Sequence, residues 1–154
     1  YLVAAAEAAS QIPEPPTHIL LQAGVGGLAC AGAAYFRKVW GDDPEIIVVE
    51  PNAAAALFKS IASGKLVTAD GPVSNMGRLD CKTPSLIALN GLARDADKLL
   101  LISDTEVEAA LPALKEHDLE TSPSGGAPMS ALYHGIEGIG SQSRVLCFLS
   151  EQVA

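Results

Sequence analysis

Short apolar runs alternate with stretches of helical spacing along the 154-residue chain. Leu2 to Gln11 is alanine-rich and helical in pattern, and Pro13, Pro15 and Pro16 stop it. His18 to Gln22 is an Ile/Leu run bounded by glycines, the signature of a buried strand. From Leu28 to Trp40 the spacing predicts a helix with Leu28, Ala31, Tyr35 and Val39 on one face. Ile46 to Val49 is β-branched without alternation, as in a strand covered on both faces. Asn52 to Ser63 is helical, and Gly64 closes it.

Lys65 to Lys82 is mixed and glycine-containing, and predicts an extended excursion. Thr83-Pro84-Ser85 opens a helix to about Arg94, and Leu99 to Ile102 is another buried strand. Ser103 with Glu106 three residues later forms a capping box for a helix reaching His117. Pro112 inside it is expected to kink or split it. Glu120 to Pro128 predicts a loop, Met129 to Gly135 a short helix, and Arg144 to Ser150 a last buried strand centred on Val145–Leu149. Strands alternating with helices imply an α/β fold: one three-layer domain, 1–154, with a mostly parallel sheet and helices on both faces.

Composition agrees with a globular chain: 49% hydrophobic, 18% charged and 5% aromatic. A chain of this length buries roughly 70% of its unfolded surface, enough for a core without metals or disulfides. Much of the apolar share is alanine, with 14 glycines beside it, which suits close helix–sheet contact. The net charge of −8 and the scattered basic residues exclude nucleic-acid binding and a polybasic membrane anchor. The three cysteines, Cys30, Cys81 and Cys147, lack metal-ligand spacing and read as buried thiols in a reducing compartment. His18 to Phe36 is uncharged, but Gln22 and its glycine cluster argue against a membrane span. No signal peptide is read at Tyr1, and a cytoplasmic location is expected. A helix without an N-cap at one end and a core strand near the other suggest a portion of a longer protein.

The sharpest local feature is Gln22-Ala23-Gly24-Val25-Gly26-Gly27-Leu28, between a strand and a helix. Glycines there allow a tight turn, and exposed N–H groups at the helix start form an anion site. That chemistry points to phosphate. One ligand is a dinucleotide: Gly24-x-Gly26 is followed by Ala29 at the third position, and Glu50 stands where a ribose-binding acid belongs. An NAD(P)-binding domain is therefore one reading.

The other reading rests on several segments in order. Pro16 to Ala29 resembles the glycine-loop segment of diaminopropionate ammonia-lyases, enzymes of the pyridoxal-phosphate fold of the tryptophan-synthase β-subunit type. Val48-Val49-Glu50-Pro51, Ala54 to Ser60 and Gly64-Lys65 continue the likeness. So do Asn75 to Ser85, similar to that family's Met-Ala-Gly-Leu-x-Cys-Gly-x-Pro-Ser stretch, then Ser103-Asp104, Pro123 to Ala127 and Leu149-Ser150-Glu151. The resemblance implies the fold-type-II large-domain portion and pyridoxal 5'-phosphate as cofactor. It implies that Gly24, Val25, Gly26 and Gly27 cradle the phosphate through backbone amides, with Leu28 opening the helix. It implies that Ser150 hydrogen-bonds the pyridine nitrogen and leaves it unprotonated, which favours β-elimination over transamination. Ser124-Gly125-Gly126 would line or support the cofactor.

Departures from the family pattern also carry expectations. In the serine-racemase and serine-dehydratase group a metal site uses the Glu of Val-Glu-Pro with positions four and six residues on. Here those are Glu50, Ala54 and Ala56, so no metal is expected. The Schiff-base lysine and the catalytic base are expected upstream of Tyr1. Lys38, Lys59, Lys65, Lys82, Lys98 and Lys115 all follow the glycine loop in contexts that look solvated. Asp80 reads as solvated, and His18, His117 and His134 as structural. Pro128 and Gln152 depart from the small residue and the glycine expected at their positions. The implied parent is a lyase that takes ammonia from 2,3-diaminopropionate to give pyruvate, with a small amino acid as substrate and a homodimer as assembly. A threonine/serine dehydratase-like enzyme is the alternative within the same fold.

Overall fold

Four strands, all parallel, lie in the order β3-β2-β1-β4 in a computed structural model that describes residues 1–151. They are β1 (His18–Gln22), β2 (Glu45–Pro51), β3 (Lys98–Ile102) and β4 (Val145–Cys147). The helices are α1 (Leu2–Gln11), α2 (Gly27–Trp40), α3 (Ala56–Ser63), α4 (Leu86–Asp95), α5 (Asp104–Glu116) and α6 (Pro123–His134). A single 3₁₀ turn, Asn52–Ala54, precedes α3.

Successive strand residues point to opposite faces, which divides the core in two. Ile19, Leu21, Ile46 and Val48 meet Ala5, Ala29, Phe36, Leu57 and Leu92 from α1 to α4. Leu20, Ile47 and Val49 meet Val107, Ala127 and Ala131 from α5 and α6. The three-layer α/β arrangement follows directly: an unalternated apolar strand has two buried faces and needs helices over each.

Strands β1 and β2 are buried along nearly their whole length. The other two differ from the sequence expectation. Strand β3 exposes Lys98 and Leu101, and β4 is three half-buried residues rather than a buried run from Arg144 to Ser150. Both stand at edges of the sheet, where one side has no neighbouring strand.

Helix α2 is turned by one residue from its expected face. Ala29, Gly32, Ala33 and Phe36 are buried, whereas Val39 is 45% exposed. Close approach decides this: a Cβ at Gly32 would stand 3.2 Å from Leu21, so the smallest side chains must face the sheet. Phe36 then stacks on Trp40 at 5.1 Å between ring centroids. Helix α5 carries its capping box and runs unbroken through Pro112. The excursion between α3 and α4 has no regular element. Lys82 lashes it down by donating to the Ala53 and Pro72 carbonyls and to Asp80. No helix among the described residues is long and apolar enough to cross a membrane.

Candidate functional site

Strand β1 has β2 on one side and β4 on the other, so the chain leaves its carboxyl end at the point where strand order reverses. In open parallel sheets such a point opens a crevice. Here it holds a cavity of about 340 Å³. Gly24, Val25, Gly26, Gly27, Leu28 and Ser150 all line it, as do Tyr1, Gln22, Arg78, Leu79, Cys81 and Glu151. The sequence motifs therefore converge on one place, although Ser150 lies more than a hundred residues from the glycine loop.

The glycine loop is shaped by contact on every side. A Cβ at Gly24 would meet the Arg78 carbonyl oxygen at 2.9 Å and the Cys81 sulfur at 3.0 Å. Gly26 has φ +97°, a left-handed conformation that glycine adopts without strain, and a Cβ there would meet Ala88 at 2.9 Å. Gly27 is freer, with Tyr1 the nearest group at 3.5 Å. Helix α2 begins here with Gly26 as its N-cap, no capping side chain and no acid in its first turn. Its first N–H groups have no intrahelical partners and carry the positive end of the helix dipole. Ser85 secures the loop from α4 by donating its N–H to the Val25 carbonyl (3.0 Å).

Two further segments wall the cavity. The Arg78 N–H donates to Ser124 Oγ (3.0 Å), and its guanidinium pairs with Glu151 (3.1 Å). Glu151 also accepts from the Ser122 hydroxyl, and its carbonyl accepts from Thr121 (2.6 Å). Residues 123–128 are therefore not the loop expected from their Ser/Pro/Gly content. Ser122 caps α6 and Pro123 occupies its first turn, where the missing N–H of proline has no cost. Ser124, Gly125 and Gly126 are buried in that helix and hold the cavity wall from behind.

Next to Ser150 lies Gln22, 3% exposed. Its Nε2 donates to Ser150 Oγ (2.9 Å) and to the Phe148 carbonyl (3.2 Å). Gln22, Arg78 and Cys81 lie in segments that carry the sequence motifs, but their spacing gives none of them a role in a site. Position at a strand end was the one signal for Gln22.

Glu50 is 0% exposed, and both its carboxylate oxygens are engaged. Oε1 accepts from Leu57 N–H (2.8 Å) and Oε2 from Phe58 N–H (3.0 Å), so the carboxylate caps α3. Burial raises its pKa to about 7 against the pull of those N–H donors. A ribose-binding acid must reach a ligand, and Glu50 does not, which leaves the dinucleotide reading without its second element. Asp80 and Lys82 form an ion pair of 2.5 Å, so neither is the solvated residue expected. No lysine among the described residues lines the cavity. His18 faces Glu45 at 3.4 Å, and His134 meets the Glu106 carbonyl at 2.8 Å. The thiols of Cys30, Cys81 and Cys147 are free and half-buried.

The sequence profile of the pyridoxal-phosphate dependent enzymes matches residues 1–151. The chain belongs to that family. Among curated pyridoxal-phosphate enzymes, it is similar to the diaminopropionate ammonia-lyase of Salmonella typhimurium, 38% identical over 57% of this chain and 24% of that protein. The Escherichia coli diaminopropionate ammonia-lyase is 32% identical over 68% of this chain and 28% of its own length. Phenylserine dehydratase of Ralstonia pickettii is 30% identical over 77% and 36%. The chain thus spans about a quarter to a third of these relatives.

Solved structures share the fold. The E. coli diaminopropionate ammonia lyase in complex with D-serine superposes with TM-score 0.87 at 24% identity, over 99% of this chain and 43% of that one. Maize serine racemase gives 0.87 at 18% identity, over 99% and 47%. The cavity suits the family's cofactor on its own terms. An uncapped helix start with unpaired N–H groups on one side of the cavity and a serine hydroxyl on the other suit a phosphate and a ring nitrogen.

Proposed function

We propose that this chain is the phosphate-binding portion of a pyridoxal-phosphate-dependent lyase that eliminates ammonia from 2,3-diaminopropionate, leaving pyruvate and a second ammonia after hydrolysis. One observation carries the reading: the glycine loop at the start of α2 and the Ser150 hydroxyl face the same cavity. Gly24, Val25, Gly26 and Gly27 bind the phosphate through their N–H groups, aided by the dipole of α2. Leu28 begins the helix and keeps those donors aligned. Ser150 donates its hydroxyl hydrogen to the ring nitrogen. A neutral hydroxyl supplies no proton there, so the ring stays a weaker electron acceptor.

Pyridoxal phosphate, when bound, provides the electron sink that stabilises the charge left when a Cα–H bond breaks. The chain's own part is to hold that group by its two ends and to restrict how far it accepts electrons. A restricted sink favours loss of a β-substituent over transfer of the α-amino group. The Schiff-base lysine and the base belong to the segment upstream. The parent is a homodimer in the cytoplasm acting on a small amino acid.

The test uses the full-length protein. Release of ammonia and pyruvate from 2,3-diaminopropionate is expected to exceed release from L-serine and L-threonine, with a visible absorbance that borohydride abolishes. The match to phenylserine dehydratase supports a hydroxyl leaving group as the second reading. Faster turnover of the hydroxy amino acids would replace the first reading with it. NAD binding without a pyridoxal chromophore would sink both.

A further inference from the structure

Strands β1 and β4 pair from His18 with Val145 to Leu20 with Cys147, and there the ladder stops. Beyond it the side chain of Gln22 bridges the two segments, reaching Phe148 and Ser150. The Phe148 carbonyl can only accept, so the group facing it must be the amide NH₂. That fixes which end of the Gln22 amide meets Ser150. The same NH₂ contacts Ser150 Oγ at 2.9 Å, so the hydroxyl accepts there. A serine hydroxyl has one hydrogen, and with the Gln22 side occupied by a donor, that hydrogen must point elsewhere. Ser150 donates to no group among the described residues and lines the cavity.

The other end of the amide is informative too. Gln22 Oε1 is buried without a partner, which is unfavourable for a buried acceptor. An apolar side chain at this position would avoid that penalty. What the amide supplies in exchange is an uncharged pair of donors aimed at Phe148 and Ser150.

We propose that Gln22 is a positioning residue that sets the polarity of Ser150, turning its hydroxyl into a donor toward a ring nitrogen acceptor. This rests on the assignment of Ser150 to the cofactor ring. Gln22 then acts through Ser150, and a substitution at either residue removes the same interaction.

The experiment uses the full-length apoprotein and two ligands: pyridoxal phosphate and its 1-deaza analogue, which carries carbon in place of the ring nitrogen. Wild type is expected to prefer the natural cofactor by about tenfold, the worth of one well-placed hydrogen bond. Ser150→Ala is expected to abolish that preference. Gln22→Met, close in size to glutamine, is expected to abolish or largely reduce it, and Gln22→Met/Ser150→Ala to match Ser150→Ala alone. Gln22→Glu puts an acceptor against Ser150, draws the hydrogen inward and is expected to bind the cofactor more weakly than Gln22→Met. Thermal unfolding of each apoprotein separates misfolding from a local effect.

If Ser150→Ala loses the preference while both Gln22 variants keep it, the role of Gln22 is wrong and the Ser150 assignment stands. If wild type and Ser150→Ala treat both ligands alike, the Ser150 assignment falls and takes the proposal with it. Additive losses in the double variant would show that Gln22 acts independently of Ser150, which also overturns it.

Discussion

Glu50 has no exposure to water, yet its two oxygens take the N–H groups of Leu57 and Phe58. Burial dominates, and the carboxyl titrates at about 7 in place of its ordinary 4.5. Between those two pH values the folded chain holds a proton that the unfolded chain has already lost. Stability from this group therefore falls as pH rises from about 4.5 to 7 and levels above it. The whole shift corresponds to roughly 3 kcal/mol. Urea unfolding between pH 5 and 8 is expected to show that decline, and Glu50→Gln to flatten it. An unchanged slope in Glu50→Gln would assign the pH dependence elsewhere. The residue also shows what a motif leaves open: Val-Glu-Pro marks an acid at the end of a strand but not where the carboxylate turns. Packing of α3 across the strand end gave it backbone donors.

Helix α6 shows how a neighbouring segment can override composition. Pro, two glycines and serines predict a loop, because glycine lowers helix propensity. The structure makes them helical, with Ser122 capping the helix and Pro123 in its first turn, and the glycines sit where the segment passes against Thr121 and Glu151. A Cβ at Gly125 would meet Thr121 Oγ1 at 2.6 Å and Glu151 N at 2.9 Å. Glu151 N is backbone and adjoins Ser150, so it cannot move without moving the cavity wall. Gly125→Ala is accordingly expected to weaken pyridoxal phosphate binding by the full-length protein about tenfold or more, by displacing Ser150 from its position. Helix propensity alone predicts the opposite, a gain of stability from glycine to alanine, so cofactor titration beside thermal unfolding separates the two. The capping box of α5, by contrast, was fully legible, because Ser103 and Glu106 are three residues apart and their bonds are local.

At the scale of the whole chain, the sheet places its best-buried strands in the middle and its shortest at an edge. Amide exchange is expected to be slowest in β1 and β2, which have strands on both sides and helices over both faces. It is expected to be far faster in β4 and in residues 65–85, which have fewer buried partners. Equal protection of β4 and β1 would contradict the edge assignment. The same layout explains the cavity: β1 lies between β2 and β4, and its carboxyl end opens where the connections part.

Element order, the α/β class and the phosphate loop could be read from the chain alone, because each depends on residues within a few positions of one another. Apolar runs, proline stops, the capping box and three clustered glycines are local chemistry. Which strands are edges, which face of α2 is buried and which residues join Ser150 could not. Each depends on contacts between distant segments: Gln22 with Ser150, Arg78 with Ser124 and Glu151, Gly32 with Leu21. Those contacts exist only once the sheet has brought the strand ends together, since close packing, not sequence spacing, selects the side chains that fit between them.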